Sequence, residues 1–120
     1  MSVTRGDIYM VNFGKGFGSI QGGYRPCIIV SNNTGNHFSS IAMVAPITTK
    51  TKHPLPTHIS VGTETGIKQN STALYEQIFV ISKSQLVEKV GYKPMTNEDD
   101  TAIATALGLF GLGELKLKEK

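Results

Sequence analysis

Residues 22–32 read GGYRPCIIVSN, two glycines and an Arg-Pro pair running straight into an apolar stretch. Pro26 locks its own φ and pushes Arg25 towards extended backbone, while Gly22 and Gly23 lift the steric limits on the turn before it. The segment therefore reads as a flexible loop opening into a buried strand, with Arg25 held at the junction. Arg25 is one of two arginines in the chain, the other being Arg5. Its guanidinium presents donors in a fixed fork that matches a phosphate bidentately. An arginine salt-bridged at a strand start is the commoner arrangement, and this segment alone favours it.

Outward from this strand, the first two thirds of the chain show short β-prone runs separated by turn residues, the pattern of a small antiparallel barrel or sandwich. The runs are Asp7 to Phe13 (DIYMVNF), Cys27 to Ser31, Ser40 to Ile47 (SIAMVAPI), Thr57 to Val61 (THISV) and Thr72 to Ile81 (TALYEQIFVI). Between the first two lies a glycine-rich loop carrying Phe17 and Ile20, and after the second comes an Asn-rich turn, NNTGNHF. Gly, Asn, Thr and Pro clusters supply the turns.

The last third changes period. Ser82 and Gln85 form a capping-box pair ahead of SKSQLVEK, which predicts a short helix, and Thr96 followed by Asn97, Glu98, Asp99 and Asp100 predicts an acidic helix start. In that second helix Ile103, Leu107 and Phe110 fall at helical spacing and are expected to face the barrel, with Gly111 and Gly113 as a stop. The expectation is one domain over 1–115, mostly β with C-terminal helices, and a frayed tail over 116–120.

Composition bounds the class. With 120 residues, 39% apolar and 18% charged, the chain has the make-up of one globular domain. It has no apolar run near the roughly 18 residues a membrane span needs. A single cysteine makes no internal disulfide and the N-terminus MSVTRGD lacks signal-peptide features, so a cytoplasmic location is expected. Cys27, inside CIIV, reads as a buried small hydrophobe. The net charge of +3 is uneven: residues 1–60 carry Arg5, Lys15, Arg25, Lys50 and Lys52 against Asp7 alone. That half leans towards anionic partners, a weak signal taken alone.

The familiar catalytic sets are missing from the sequence. His37, His53 and His58 show no metal-ligand spacing, and there is no nucleophile elbow, Walker loop or dinucleotide fingerprint, so neither a metal nor a cofactor is expected. Three features remain. Thr48 and Thr49 end a strand beside Lys50, a local group able to donate to a phosphate oxygen. Glu76 and Gln77 interrupt the run ALYEQIFV, so in a strand one of them must point inward and need a partner. Phe17 could stack on a base or fold back on the core.

The strings RGDIY, SIQGGYRP, the Asn-rich turn, PIT, LPTHI and LYEQI together resemble, in order, the MazF/PemK toxins. The resemblance implies a small SH3-like barrel with C-terminal helical elements and a symmetric homodimer. It implies sequence-specific cleavage of single-stranded RNA without a metal, a cognate antitoxin as protein partner, and contact with DNA only indirectly through that antitoxin. It gives Arg25 and Thr48 the catalytic roles and assigns RNA contact to Phe17, Ser19, Gln21, Glu76 and Gln77. Several relatives carry an acidic residue where this chain has Ile20, and others a histidine in the same loop, so proton-transfer roles held there do not carry over.

The chemistry fits this small set. The ribose 2′-hydroxyl is the nucleophile, so the protein need only align it and stabilise the phosphorane, leaving a 2′,3′-cyclic phosphate and a 5′-hydroxyl. Arg25 is a poor base and acts as an electrostatic stabiliser, and no general base is legible. Two other readings keep the barrel: a gyrase-binding toxin, and a non-catalytic RNA-binding module.

Overall fold

The computed structural model describes residues 2–15, 23–50 and 54–110. Nine elements follow in order: β1 (Asp7–Asn12), β2 (Tyr24–Ile29), α1 (Asn33–Phe38), β3 (Ile41–Thr48), β4 (His58–Val61), β5 (Ser71–Leu74), β6 (Phe79–Ser82), β7 (Leu86–Tyr92) and α2 (Asn97–Phe110). Three 3-10 turns lie among them, at Thr63–Thr65, Tyr75–Gln77 and Lys83–Gln85. Among the described residues no helix is long and apolar enough to cross a membrane.

All the strands pair antiparallel in one seven-stranded sheet of order β4-β5-β3-β2-β1-β7, with β6 beside the first half of β3. β3 organises it: one edge holds β2, and the other holds β6 and then β5. The expected mostly β architecture is what the chain adopts, with one C-terminal helix in place of two, and among the described residues the ladder is an open path from β4 to β7 and not a ring.

Strand alternation sorts the apolar residues onto two cores. Tyr9, Val11, Cys27, Ile29, Val44, Ile81 and Leu86 gather on one side, and Ile8, Ile28, Ala45, Ile47, Val61, Ala73 and Tyr75 on the other. Each fully buried Ile or Val side chain contributes about 1.5–3 kcal/mol of transfer free energy, which favours this register over one slipped by a residue. Cys27 is fully buried, as its setting in the sequence implied, and burial pushes its thiol up to about 12 against a smaller opposing pull from Arg25.

Three expectations are corrected. The capping box of Ser82 and Gln85 forms, but it closes only the 3-10 turn Lys83–Gln85, and LVEK continues as β7. The outer edge of β1 needs hydrogen-bond partners, and β7 supplies them with Val11 opposite Leu86 and Met10 opposite Glu88. A helix there would leave that edge open. The Asn-rich turn is a helix, α1, started by Asn32, whose side chain accepts from Gly35 N–H.

The third correction concerns the face of α2. Ala102 and Ala106 are buried and Ile103 packs against the core, whereas Leu107 is 55% exposed. Asp99 is fully buried, and its neighbours at helical spacing, 102, 103 and 106, follow it inward. The Phe110 side chain, the stop at Gly111 and Gly113, and the 116–120 tail lie outside the described residues.

Candidate functional site

Arg25 stands on β2 opposite Val11 of β1, and on its other edge β2 pairs with β3 through Cys27 opposite Pro46. Continuing that antiparallel register by two residues sets Arg25 opposite Thr48, so both belong to the same face of the sheet. On its far side Thr48 pairs with Thr72 of β5, which in turn pairs with Ser60 of β4. A row of polar positions, Thr48, Thr72 and Ser60, thus crosses three strands, and the extended register brings Arg25 into line with it.

The two arginines have different jobs. Arg5 is spent on structure: its Nε donates to Val30 O at 2.9 Å and its Nη2 to Asp100 Oδ1 at 2.7 Å. No described residue accepts a hydrogen bond from the Arg25 guanidinium or forms an ion pair with it, so the commoner salt-bridged arrangement is not found there among the described residues. Its half-buried position restricts the stem, and among the described residues none claims the fork. Thr48 Oγ1 accepts from Lys50 N–H at 3.0 Å, which orients the hydroxyl and leaves its proton for donation. Thr49, next along the chain, faces the other way.

That opposite face holds a cleft of about 790 Å³ lined by Met10, Pro26, Ile47, Thr49, Val90 and the loop around Lys68. Neither Arg25 nor Thr48 lines it. The pair belongs to the other face of the sheet, outside this cleft and at the end of the row that includes the buried Val11 and Cys27.

Glu76 and Gln77 are not in a strand as the sequence implied. The run from Thr72 to Ile81 is broken by the 3-10 turn Tyr75–Gln77, with β5 before it and β6 after. The expectation that one of the two polar residues needs an inward partner holds: Glu76 accepts from Thr57 Oγ1 at 2.7 Å and from His58 Nε2 at 3.0 Å. Burial disfavours its charged form, and the bonds from Thr57 and His58 outweigh that, so its carboxyl titrates below the usual range. Gln77 is exposed.

His58 is the residue that sequence reasoning passes over. LPTHI and LYEQI each stand out, but nothing in either shows that His58 and Glu76 meet. Phe17, Ser19, Gln21, Ile20 and His53 lie outside the described residues, so the expected contacts of the glycine loop are neither placed nor displaced. Among the described residues no group of three or more His, Cys, Asp or Glu side chains is arranged to hold a metal ion.

Comparison with known proteins gives this surface its context. Residues 4–110 match the family of PemK-like, MazF-like toxins of type II toxin-antitoxin systems. The chain is 38% identical over 113 residues to endoribonuclease EndoA of Bacillus subtilis (strain 168), covering 91% of this chain and 97% of that protein. It superposes with a TM-score of 0.72 on an endoribonuclease solved in complex with its cognate antitoxin from a mycobacterial species, at 29% identity over 89% of this chain and 96% of the other. The fold is also that of MazF from Deinococcus radiodurans, with a TM-score of 0.74 over 93% of this chain and 99% of the other, at 19% identity. By the extent of the match and by its sheet, this chain belongs to the PemK-like, MazF-like toxin family of type II toxin-antitoxin systems.

Proposed function

We propose that the protein is an endoribonuclease toxin that cuts single-stranded RNA at short sequences, with Arg25 and Thr48 as its catalytic residues. The observation that carries the reading is the Arg25 fork, unclaimed by any described residue, on β2 two positions before the pairing of Cys27 with Pro46, a register that when extended runs towards Thr48. The Tyr75–Gln77 turn and the loop positions Phe17, Ser19 and Gln21 supply the RNA-contacting residues.

The mechanism follows from what each group offers. The ribose 2′-hydroxyl adjoining the scissile phosphate attacks phosphorus, and the bond to the 5′-oxygen of the next nucleotide breaks. The products are a 2′,3′-cyclic phosphate and a 5′-hydroxyl. Negative charge accumulates on the non-bridging oxygens, where Arg25 supplies a bidentate, permanently charged donor and Thr48 a neutral one. An internal nucleophile already positioned by its own ribose needs alignment more than activation, and a row of side chains on a rigid sheet provides that. No metal takes part in this scheme.

The protein acts as a symmetric homodimer in the cytoplasm, is restrained by a cognate antitoxin protein, and meets DNA only through that antitoxin. The test is incubation with a long single-stranded RNA in excess EDTA, followed by mapping of the cut ends. Cleavage at a recurring short sequence with cyclic phosphate termini is expected. Intact RNA, or cutting that returns only with magnesium, contradicts the proposal.

A further inference from the structure

We propose that Glu76 is a positioning residue: held by His58 and Thr57, it fixes the turn that presents Gln77 to RNA, and it does not itself touch the substrate. This rests on the RNA-cleaving reading above and refines the role of one of its contact positions.

Each oxygen of the Glu76 carboxylate accepts a hydrogen bond, Oε1 from the Thr57 hydroxyl at 2.7 Å and Oε2 from His58 Nε2 at 3.0 Å. The side chains of His58 and Glu76 are only 10% and 14% exposed. The state of the imidazole follows from its second nitrogen. Leu55 N–H donates to His58 Nδ1 at 3.2 Å, so Nδ1 is the lone-pair nitrogen and Nε2 carries the hydrogen given to Glu76. The contact is therefore a hydrogen bond from a neutral ring and not an ion pair. With both nitrogens engaged, His58 has no free lone pair with which to deprotonate a 2′-hydroxyl.

The rest of the turn is fixed from the other side. Tyr75 N–H donates to Thr57 O at 3.1 Å, and Tyr75 Oη donates to the fully buried Asp99 of α2 at 2.6 Å. Of the three turn residues, Tyr75 is anchored to the helix, Glu76 to the start of β4, and Gln77 alone is exposed, with no side-chain hydrogen bond to a described residue. A carboxylate turned out to meet RNA would abandon two charge-assisted bonds to face a polyanion. The amide of Gln77 carries no such penalty and can both donate to and accept from a base edge.

The test is a double-mutant cycle on cleavage of a short single-stranded RNA spanning a mapped cut site. Glu76→Gln keeps the shape but places an amide N–H against a donor, and should raise KM about 10-fold with kcat little changed. Gln77→Ala should do the same, and the double variant should be no worse than Gln77→Ala alone, because the first change acts through the second residue. His58→Gln should repeat the Glu76→Gln phenotype. A second readout uses 15N-imidazole correlation spectra of the wild-type protein with and without a 2′-deoxy version of that RNA, and His58 should remain the Nε2–H tautomer in both. Additive effects of Glu76→Gln and Gln77→Ala, tighter RNA binding by Glu76→Gln, or a His58 ring that changes state when RNA binds overturns the positioning role while leaving the nuclease reading in place. A wild-type protein that cuts no RNA removes both.

Discussion

Tyr75 donates its phenolic hydrogen to the fully buried carboxylate of Asp99 at 2.6 Å, joining the end of β5 to the first turn of α2. The same carboxylate accepts from Lys93 Nζ at 2.6 Å and from the Thr96 N–H and hydroxyl at 2.9 and 3.0 Å. One side chain thus caps the helix, neutralises a largely buried lysine and seats the turn that carries Glu76 and Gln77. Burial, reinforced by Asp99, raises the Tyr75 hydroxyl well above the ordinary tyrosine value, so it stays a donor at any physiological pH.

Asp99→Asn should therefore destabilise the protein by about 3–5 kcal/mol, the cost of leaving a buried charge without its partner. Acid should act through the same group. Burial opposes ionisation of Asp99, and the bonds from Lys93, Tyr75 and Thr96 outweigh it, so this carboxyl, like that of Glu76, titrates below its ordinary value. A carboxyl depressed by folding contributes stability that is complete above its unfolded value and is lost as pH falls through the folded one. Denaturant midpoints should be flat above the ordinary values of 3.8 and 4.5 and decline below them. The Asp99→Asn variant should show a shallower decline. Wild-type stability in that variant, with an unchanged acid limb, would contradict the role given to this network.

Gly6→Ala should weaken folding by at least about 1–2 kcal/mol, because Gly6 sits at φ +98°, where an L side chain is strained. An added Cβ would also lie 2.4 Å from the backbone oxygen of Lys93. Gly6 donates to Ile29 O and accepts from Lys93 N–H, both at 2.9 Å, so the defect falls where β2 and the end of β7 are tied together. Thermal melts of the variant would check this, and an unchanged midpoint would contradict it.

Arg25→Lys should lose cleavage by about 10²-fold or more with the melting temperature unchanged, since removing one oxyanion donor typically costs that much and an ammonium cannot span two oxygens. Thr48→Val, nearly isosteric, should slow the reaction in the same sense through loss of a single hydroxyl. Steady-state rates beside thermal melts separate the two effects. Full activity in either variant would show that the site lies elsewhere.

Much of the fold is legible in the sequence where the cause is local. The apolar runs around Ile8, Ile28, Val44 and Val61 form strands because alternation and β-branching act over a few residues. The stretch after Ser82 misleads because its cap is real and local, whereas the demand that overrides it comes from the edge of β1 in the distant sequence. Glu76 shows the same limit: that a polar residue inside an apolar run needs a partner is a local statement, but that the partner is His58, eighteen positions away, depends on how β4 and β5 pair. The face of α2 is misassigned from hydropathy because Leu107 is more apolar than Ala102 or Ala106. The helix is oriented instead by a charged residue, Asp99, whose burial no hydropathy pattern reveals. Arg25 and Thr48 stand out in the sequence by their resemblance to a known pattern, because neither an arginine at a strand start nor a threonine at a strand end is distinctive alone.

In the proposed mechanism the substrate brings its own nucleophile to Arg25 and Thr48. This is tested most directly by replacing the one 2′-hydroxyl at the scissile nucleotide with hydrogen and measuring both cutting and binding in excess EDTA. Cleavage at that position should vanish while affinity stays within a few-fold of the all-ribose RNA, and the all-ribose RNA should be cut in the same buffer. A 2′-deoxy substrate cut at the normal rate would contradict the account and place the attacking oxygen on water.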